Sequence, residues 1–405
     1  MAVSHWILLF SLYVTQFLPI AFFAVALPVI LRENGASLHD ISLFYILGLV
    51  WVVKFIWAPL IDRVRFGRFG HYRIWLLITQ SLLVVLVCVA AFVVDPSDLG
   101  LLLLFGSASA VVASTQDIAA DAVGCRLLPR DMHGLGGSVQ LCGGLVGTIL
   151  GGGGVLIIYG WAGWQASALL VAAALAPVII QILLFDDRII GDSDGRKETV
   201  PFTRLISFWV GRDRLALAMI LMFLPLSVTM ASALSAPRLV DRGWASDDVG
   251  LLLHVAAPLC VIPFSFLVGF VLVKTSKWFV LGTMPFLQVG AIFAALAFAG
   301  PSSADIQSGI ILSILYGAEL LVFSVLLTFM LGATGLGTEG TDFTIQNSVY
   351  GAVAFAGAAI ALNFAEAIGY DAMLIACLVM STVIGLGVLV YALSKRRGET
   401  EMVNP

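Results

Sequence analysis

The chain has 405 residues, of which 60% are hydrophobic and only 11% charged, and its mean hydropathy is +1.05. Soluble domains carry about 25% charged residues, so this composition excludes an ordinary soluble protein and predicts an all-α polytopic membrane protein. The net charge of −4 identifies no class of partner. Five cysteines lie in or beside apolar segments without CxxC spacing, which favours buried thiols over disulfides or a metal site.

Apolar segments long enough to cross a bilayer follow one another along the chain. A spanning helix needs about 20 apolar residues, and the first such segment lacks the basic start of a signal peptide, so we expect it to be retained. The twelve predicted spans cover residues 6–31, 41–61, 74–94, 100–123, 135–160, 164–185, 214–237, 248–273, 277–299, 306–332, 342–367 and 371–394. A polar stretch at 186–213 divides them into six plus six.

Lysine and arginine lie mostly on one side of these spans. With the N-terminus inside, the inside loops hold 17 of the 21 basic residues, the outside loops hold 3, and Lys54 alone lies within a span. Because cytoplasmic loops are enriched in Lys and Arg, we expect both termini in the cytoplasm. The predicted domains are a six-helix bundle at 1–185, a cytoplasmic linker at 186–213, and a second six-helix bundle with a short cytoplasmic tail at 214–405.

The loop after span 2 reads APLIDRVRFGRFGHYR (58–73). Together with the 6+6 division, its small residue, acid–base pair, glycine and further basic residues resemble the major facilitator architecture, in which two six-helix bundles rock around a midplane site. The resemblance implies a cytoplasmic gate made of Asp62, Arg63, Arg68 and Arg73, with Asp62 as the latch. Alternatively, the arginines only hold the loop inside and contact anionic lipid.

Lys54 interrupts the apolar run WVVKFIWAP of span 2. A charge at the membrane centre costs about 3 kcal/mol, so a partner is expected. In span 4, Asp117 and Asp121 share one helix face because they are four residues apart, and Asp117 lies at a depth similar to that of Lys54. We therefore expect a Lys54–Asp117 charge pair. Asp117 or Asp121 then either carries a proton during transport or belongs to a fixed strut in which Asp121 is tied to Arg126.

Few other polar groups lie inside the spans. The facilitator resemblance places spans 1, 4, 7 and 10 around a cavity, which makes mid-span Glu319 a further proton-coupling candidate, although a packed, hydrogen-bonded glutamate is the alternative. The substrate-cavity candidates on these and neighbouring spans are Tyr13, Gln16, Gln116, His254, Tyr316, Gln346 and Asn347. For His254 we favour a packed residue over a ligand.

Span 5 contains the small-residue stretch QLCGGLVGTILGGGG (140–154). Small residues let helices approach closely, so this span either slides at a bundle interface or packs tightly within the first half. The stretch lacks the GK[ST] of a phosphate-binding loop.

Two stretches resemble one branch of the facilitators. KFIWAPLIDR…GRFGHYRIWLLITQ (54–80) is similar to the span 2–3 region of AmpG-type permeases, and STQDIAADAVGCRLLP (114–129) is similar to their span 4. That branch takes in muropeptide permeases, acetyl-CoA transporters and RhtX/FptX siderophore permeases. The twelve spans and the single spanning cation favour the RhtX/FptX type, because muropeptides and acetyl-CoA bring carboxylates or phosphates that call for Arg or Lys in the cavity.

The expected function is secondary active transport. We expect a proton-coupled importer of a ferric siderophore that works by alternating access in the bacterial inner membrane. The alternatives are an anhydro-muropeptide permease and a drug or metabolite facilitator. The expected partners are the small-molecule substrate, protons and membrane lipid, for a monomer without nucleic acid, cofactor or resident metal. No HExxH or His-rich pattern indicates an enzyme.

Overall fold

The structure is a computed structural model that describes residues 2–33, 44, 46–64, 70–186, 200–298 and 306–403. Its regular structure in these residues is helical, as expected for apolar segments in a bilayer, where a helix satisfies its own N–H and C=O groups. The α-helices are α1 Val3–Ala21, α2 Leu27–Glu33, α3 Leu49–Val53, α4 Ala58–Arg63, α5 His71–Val93, α6 Leu99–Leu127, α7 His133–Ile149, α8 Val155–Leu184, α9 Arg204–Ser207, α10 Arg212–Phe223, α11 Leu226–Ala233, α12 Ser235–Val240, α13 Ser246–Leu251, α14 Ala257–Lys274, α15 Lys277–Phe298, α16 Ile306–Gly332, α17 Glu339–Ile368 and α18 Tyr370–Val403.

Ten stretches of the described helices are long and apolar enough to cross a membrane. One of them, Arg130–Leu184, contains predicted spans 5 and 6. Its second helix is broken at Gly163, whose φ of 75° and ψ of −172° lie outside the helical region and suit glycine. Predicted span 2 is formed by α3 and α4 with the 3-10 turn Lys54–Ile56 between them. The ten stretches therefore account for the twelve predicted spans once span 2 is added, and the all-α polytopic fold is confirmed.

In the described residues, three π-helical turns interrupt the spans. They cover Phe22–Ala26 after α1, Leu150–Gly154 between α7 and α8, and Leu252–Ala256 before α14. Such turns occur mostly as short bulges within α-helices and frequently at functional sites. His254, a cavity candidate, belongs to the third turn, and its side chain lies outside the described part of the chain.

The chain forms two compact units that are not continuous in sequence. The first comprises Met1–Pro129, Val139–Phe208 and Met330–Ser348, and the second comprises Arg130–Ser138, Trp209–Phe329 and Val349–Pro405. Most of each unit follows one predicted half of the chain. Two short segments do not, because 330–348 joins the first unit and 130–138 joins the second.

Glycines bring α7 close to α1 in the first unit. A Cβ added to Gly143 would lie 2.6 Å from the Cβ of Tyr13 and 3.1 Å from the carbonyl oxygen of Phe10. A Cβ added to Gly147 would meet the carbonyl oxygen of Val14. Within the first unit, the glycines of span 5 therefore permit a close approach to span 1.

Each unit has its own apolar core. In the first, Phe22 stacks on Trp164 with ring centroids 5.2 Å apart, within a cluster drawn from α1, α5, α6 and α8. In the second, buried residues of α11, α15, α16 and α18 pack together. The short segment 130–138 is held in this unit by Ser138, whose hydroxyl donates to the carbonyl oxygen of Ser265 at 2.6 Å.

Candidate functional site

The side chain of Asp62, in α4, lies at the N-terminus of α17 within the first unit. The carboxylate is 1% exposed and accepts hydrogen bonds from the backbone N–H groups of Gly340 at 3.2 Å and Thr341 at 2.7 Å. The hydroxyl of Tyr72 donates to it at 2.7 Å. Because α17 begins at Glu339, these N–H groups belong to its first turn, where they lack intrahelical partners and the helix dipole favours negative charge. Asp62 thus fastens the segment 330–348 to α4.

Two ion pairs, one buried and one partly buried, hold the same segment. Arg126, at the end of α6, donates to the carboxylate of Glu339 at 3.0 Å, with side chains 8% and 4% exposed. Arg204, in α9, donates through two nitrogens to Asp342 at 2.7 Å each. This two-point geometry is stronger and more directional than a single contact. Three carboxylates therefore fix the segment 330–348 within the first unit.

Burial raises the pKa of Asp62 to about 6, while its hydrogen bonds to Thr341 and Tyr72 act in the opposite direction. Asp62 lies just beyond predicted span 2. Because the raised pKa favours the protonated form in this arrangement, the docked state becomes more favourable as the pH falls through 6.

The structure describes two of the three predicted gate arginines, Arg63 and Arg73. Arg63 is exposed at the end of α4, and Arg68 lies outside the described residues. Arg73 donates from Nε to the carbonyl oxygen of Ile182 at 3.2 Å and from a second nitrogen to that of Leu183, so it caps the C-terminus of α8. Arg126 interacts electrostatically with Asp62 and was not predicted to belong to the gate.

Lys54 forms a buried ion pair with Asp117. Their side chains are 0% and 2% exposed, and Nζ of Lys54 donates to one carboxylate oxygen. Lys54 stands in the 3-10 turn between α3 and α4. In the next turn of the chain, Nε1 of Trp57 donates to the hydroxyl of Thr115 at 3.2 Å. The structure thus brings together the two residues that the sequence analysis paired.

Asp121 lies close enough to this pair to interact with its cation. It is fully buried, accepts a hydrogen bond from Nε2 of Gln140 at 2.9 Å, and is hydrogen-bonded to Tyr13. It also interacts electrostatically with Lys54. Its second oxygen has no hydrogen-bond partner among the described residues. One ammonium therefore faces two carboxylates, so the buried group carries net negative charge unless it binds a proton.

Buried glutamines surround this cluster. Gln116 donates to Oε1 of Gln80, and Gln80 donates to the carbonyl oxygen of Leu175 at 2.8 Å. These bonds link α5, α6 and α8. Gln16 is fully buried, and its amide has no partner in the described part of the chain. Gln116 is thus part of the packing between helices, whereas Gln16 retains free hydrogen-bonding capacity.

The remaining candidates lie at two places. Gln346 is fully buried in the segment 330–348 and donates to the carbonyl oxygens of Met330 at 3.2 Å and Asp342 at 2.8 Å, while Asn347 beside it is half-buried. In the second unit, Glu319 is half-buried and accepts a hydrogen bond from the hydroxyl of Ser232. Within the described residues, no group of three or more His, Cys, Asp or Glu side chains could hold a metal ion.

Several residues of this candidate site were not predicted from the sequence. They are Tyr72, Gln140, Arg204, Glu339 and Asp342, and Arg126 was predicted only as a possible partner of Asp121. Acidic residues in the first turn of a helix are a recognisable signal, and the sequence TEGTD at 338–342 carries it. That signal does not specify which basic residues form ion pairs with these carboxylates.

The chain was compared with known proteins. Residues 9–361 match the family model of the Major Facilitator Superfamily. Over 168 residues, the chain is 34% identical to the anhydromuropeptide permease of Escherichia coli (strain K12). The aligned stretch covers 41% of this chain and 34% of that permease. The chain is 23% identical over 287 residues to an AmpG 4 transporter of Rickettsia felis, covering 67% of this chain and 68% of the relative. The crystal structure of the human organic anion transporter MFSD10 superposes with a TM-score of 0.71 at 14% identity, covering 96% of this chain and 100% of that one.

These comparisons support the AmpG-like branch and give no support to a particular closeness to RhtX/FptX permeases. The matched stretch spans about a third of the length of the Escherichia coli permease. The similarity to MFSD10 concerns the fold. Because the family model extends over most of the chain and the helices form that fold, the chain is a multi-pass membrane protein that belongs to the Major Facilitator Superfamily.

Proposed function

We propose that this chain is a proton-coupled importer of an anhydro-muropeptide in the bacterial inner membrane, with both termini in the cytoplasm. The observation that supports this choice of substrate is the 34% identity over 168 residues to a permease named for that compound. The chain length and the single spanning cation favoured a ferric siderophore, but the relatives favour the muropeptide alternative.

The cluster of Lys54, Asp117 and Asp121 supports the coupling. Asp117 is neutralised by Lys54, which leaves Asp121 as the carboxylate with a free oxygen. Ionisable groups buried at membrane depth commonly relay protons. In this proposal Asp121 takes up the proton, and Tyr13 and Gln140 orient it.

The segment 330–348 supplies the conformational step. Alternating access requires an element with two discrete arrangements, and this segment is held by contacts with three residues, Asp62, Arg126 and Arg204. Release of these bonds undocks the N-terminus of α17. Because docking buries Asp62, its protonation state couples the step to pH.

The test is uptake into spheroplasts, in which the inner-membrane step is read directly. A labelled anhydro-muropeptide and a labelled ferric phenolate siderophore are offered with and without a protonophore. We expect protonophore-sensitive muropeptide uptake that is lost in Asp121→Asn and kept in Asp213→Asn, a control whose carboxylate is 81% exposed. Siderophore uptake without muropeptide uptake would overturn the proposed identity of the substrate. Protonophore-sensitive uptake by Asp121→Asn would overturn the role of Asp121.

A further inference from the structure

Glu319 is a half-buried carboxylate of the second unit that lies within a spanning helix, α16. In the part of the chain that the structure describes, none of the ion pairs includes it. Its hydrogen-bond partners are the hydroxyl groups of Ser232 and Thr229, neither of which carries charge. This setting differs from that of Asp117, whose charge is balanced by Lys54. A carboxylate at membrane depth with no cation beside it is a site that a cation from outside the protein can fill.

Aromatic residues lie near this carboxylate. Tyr316 and Phe323 stand three residues before and four residues after Glu319 in α16, so all three share one helix face. Phe323 stacks on Tyr350 of α17, with ring centroids 4.3 Å apart and an interplanar angle of 22°. Glu319 interacts electrostatically with both Tyr316 and Tyr350. The four side chains are half-buried and thus partly accessible.

Carboxylate and ring faces together favour a particular ligand. The face of an aromatic ring is negative and attracts ammonium groups, and a carboxylate supplies the counter-charge. The hydroxyl oxygens of Tyr316 and Tyr350 can accept N–H bonds. A sugar hydroxyl would find an acceptor here but would not balance the charge of Glu319.

We propose that Glu319, Tyr316, Phe323 and Tyr350 form a subsite for a protonated amine of the transported compound. The proposal deepens the proposed function and rests on it for the identity of that compound. A peptide-bearing substrate offers such a group where its peptide contains a diamino acid. Glu319 is then a substrate contact, in place of the proton carrier expected from its mid-span position.

The test is binding to the purified full-length chain. The first probe pair is an anhydro-muropeptide with a free side-chain amine and the same compound with that amine acetylated. Losing one partner of a desolvated charge pair at a binding site weakens binding by about 30-fold or more, so we expect the free amine to bind at least about 30-fold tighter. Glu319→Gln should abolish this preference and Tyr350→Leu should reduce it. Glu366→Gln, at an exposed carboxylate of α17, should keep it.

Equal binding of the two probes to the wild type would overturn the subsite while leaving the proposed function intact. A preference that survives in a folded Glu319→Gln protein, as judged by its thermal unfolding, would overturn it as well. If neither muropeptide binds, the proposed function fails, and the second probe pair decides the subsite. Benzylammonium bound more tightly than benzyl alcohol, with the difference lost in Glu319→Gln, supports the amine site; equal binding overturns it.

Discussion

Replacement of Lys54 by methionine should destabilise the protein more than replacement of Asp117 by asparagine. Both residues belong to one buried ion pair, so a simple pair would make the two losses similar. The two losses should differ, because Asp121 also interacts electrostatically with Lys54. Lys54→Met therefore leaves two buried carboxylates without their cation, whereas Asp117→Asn leaves Lys54 with Asp121.

The magnitudes follow from the charges that remain. Two unit charges 4 Å apart interact by about 4 kcal/mol at an effective dielectric constant of 20, and breaking a buried pair costs about 3–5 kcal/mol in practice. We place Lys54→Met at the upper end of that range. Asp117→Asn should cost about 1–3 kcal/mol, because Asp121 still balances the ammonium. Adding Asp117→Asn to Lys54→Met removes one of the two carboxylates left without a cation and should recover part of the loss.

Thermal unfolding of the purified protein in detergent measures these differences. A thiol-reactive dye reports unfolding through Cys142 and Cys377, which are 1% and 0% exposed. The matched control is Asp213→Asn, which removes a carboxylate from a surface pair with Lys395 and should cost less than about 1 kcal/mol.

One pattern would refute the reasoning. If Asp117→Asn lowers the Tm as much as Lys54→Met, Asp121 contributes nothing to the balance of charge around Lys54. The same conclusion follows if the double variant is less stable than both single variants. Either outcome would also remove the basis for a proton on Asp121.

Three further outcomes are expected. Because the buried Asp62 carboxyl has a pKa raised to about 6, it stabilises the fold at low pH and loses that effect as the pH rises. Between pH 5 and 8 the free energy of unfolding of the wild type should fall by about 1.4 kcal/mol relative to that of Asp62→Asn. Parallel Tm-against-pH curves of the two proteins would contradict this. Gly143→Ala should cost about 1–3 kcal/mol, because its Cβ would lie 2.6 Å from a neighbouring atom, whereas Gly160→Ala has open space and should be neutral; equal Tm values would show that α7 can move away. Arg204→Lys should lose one of the two bonds to Asp342 and about 1 kcal/mol of stability, and unchanged thermal unfolding would argue against a two-point contact.

Hydrophobicity and residue spacing were enough to predict the spans and the pairing of Lys54 with Asp117. Both depend on local sequence, because a spanning helix has a fixed rise per residue and buried charges need partners. Arg73 shows where this reasoning stops. From its position in a loop, a basic residue can either take part in a gate or cap the C-terminus of a helix. The packing of the helices is needed to show that the Arg73 guanidinium donates to the carbonyl oxygens of α8.

The partners of the segment 330–348 could not be predicted for a different reason. Arg126 and Glu339 are 213 residues apart, and neither lies in a pattern that specifies the other. The substrate inference depended on chain length and on the number of spanning cations. Neither quantity reports what the cavity binds, and the relatives favour the muropeptide alternative.

The long separation between these partners has a consequence for biosynthesis. Glu339 leaves the ribosome 213 residues after Arg126, which takes roughly 10–40 s at about 5–20 residues per second. During that interval Asp62 and Arg126 are already made, but the segment that buries them does not yet exist. The first compact unit is therefore completed late in translation, and nascent chains that stop before residue 330 carry it in an unfinished form.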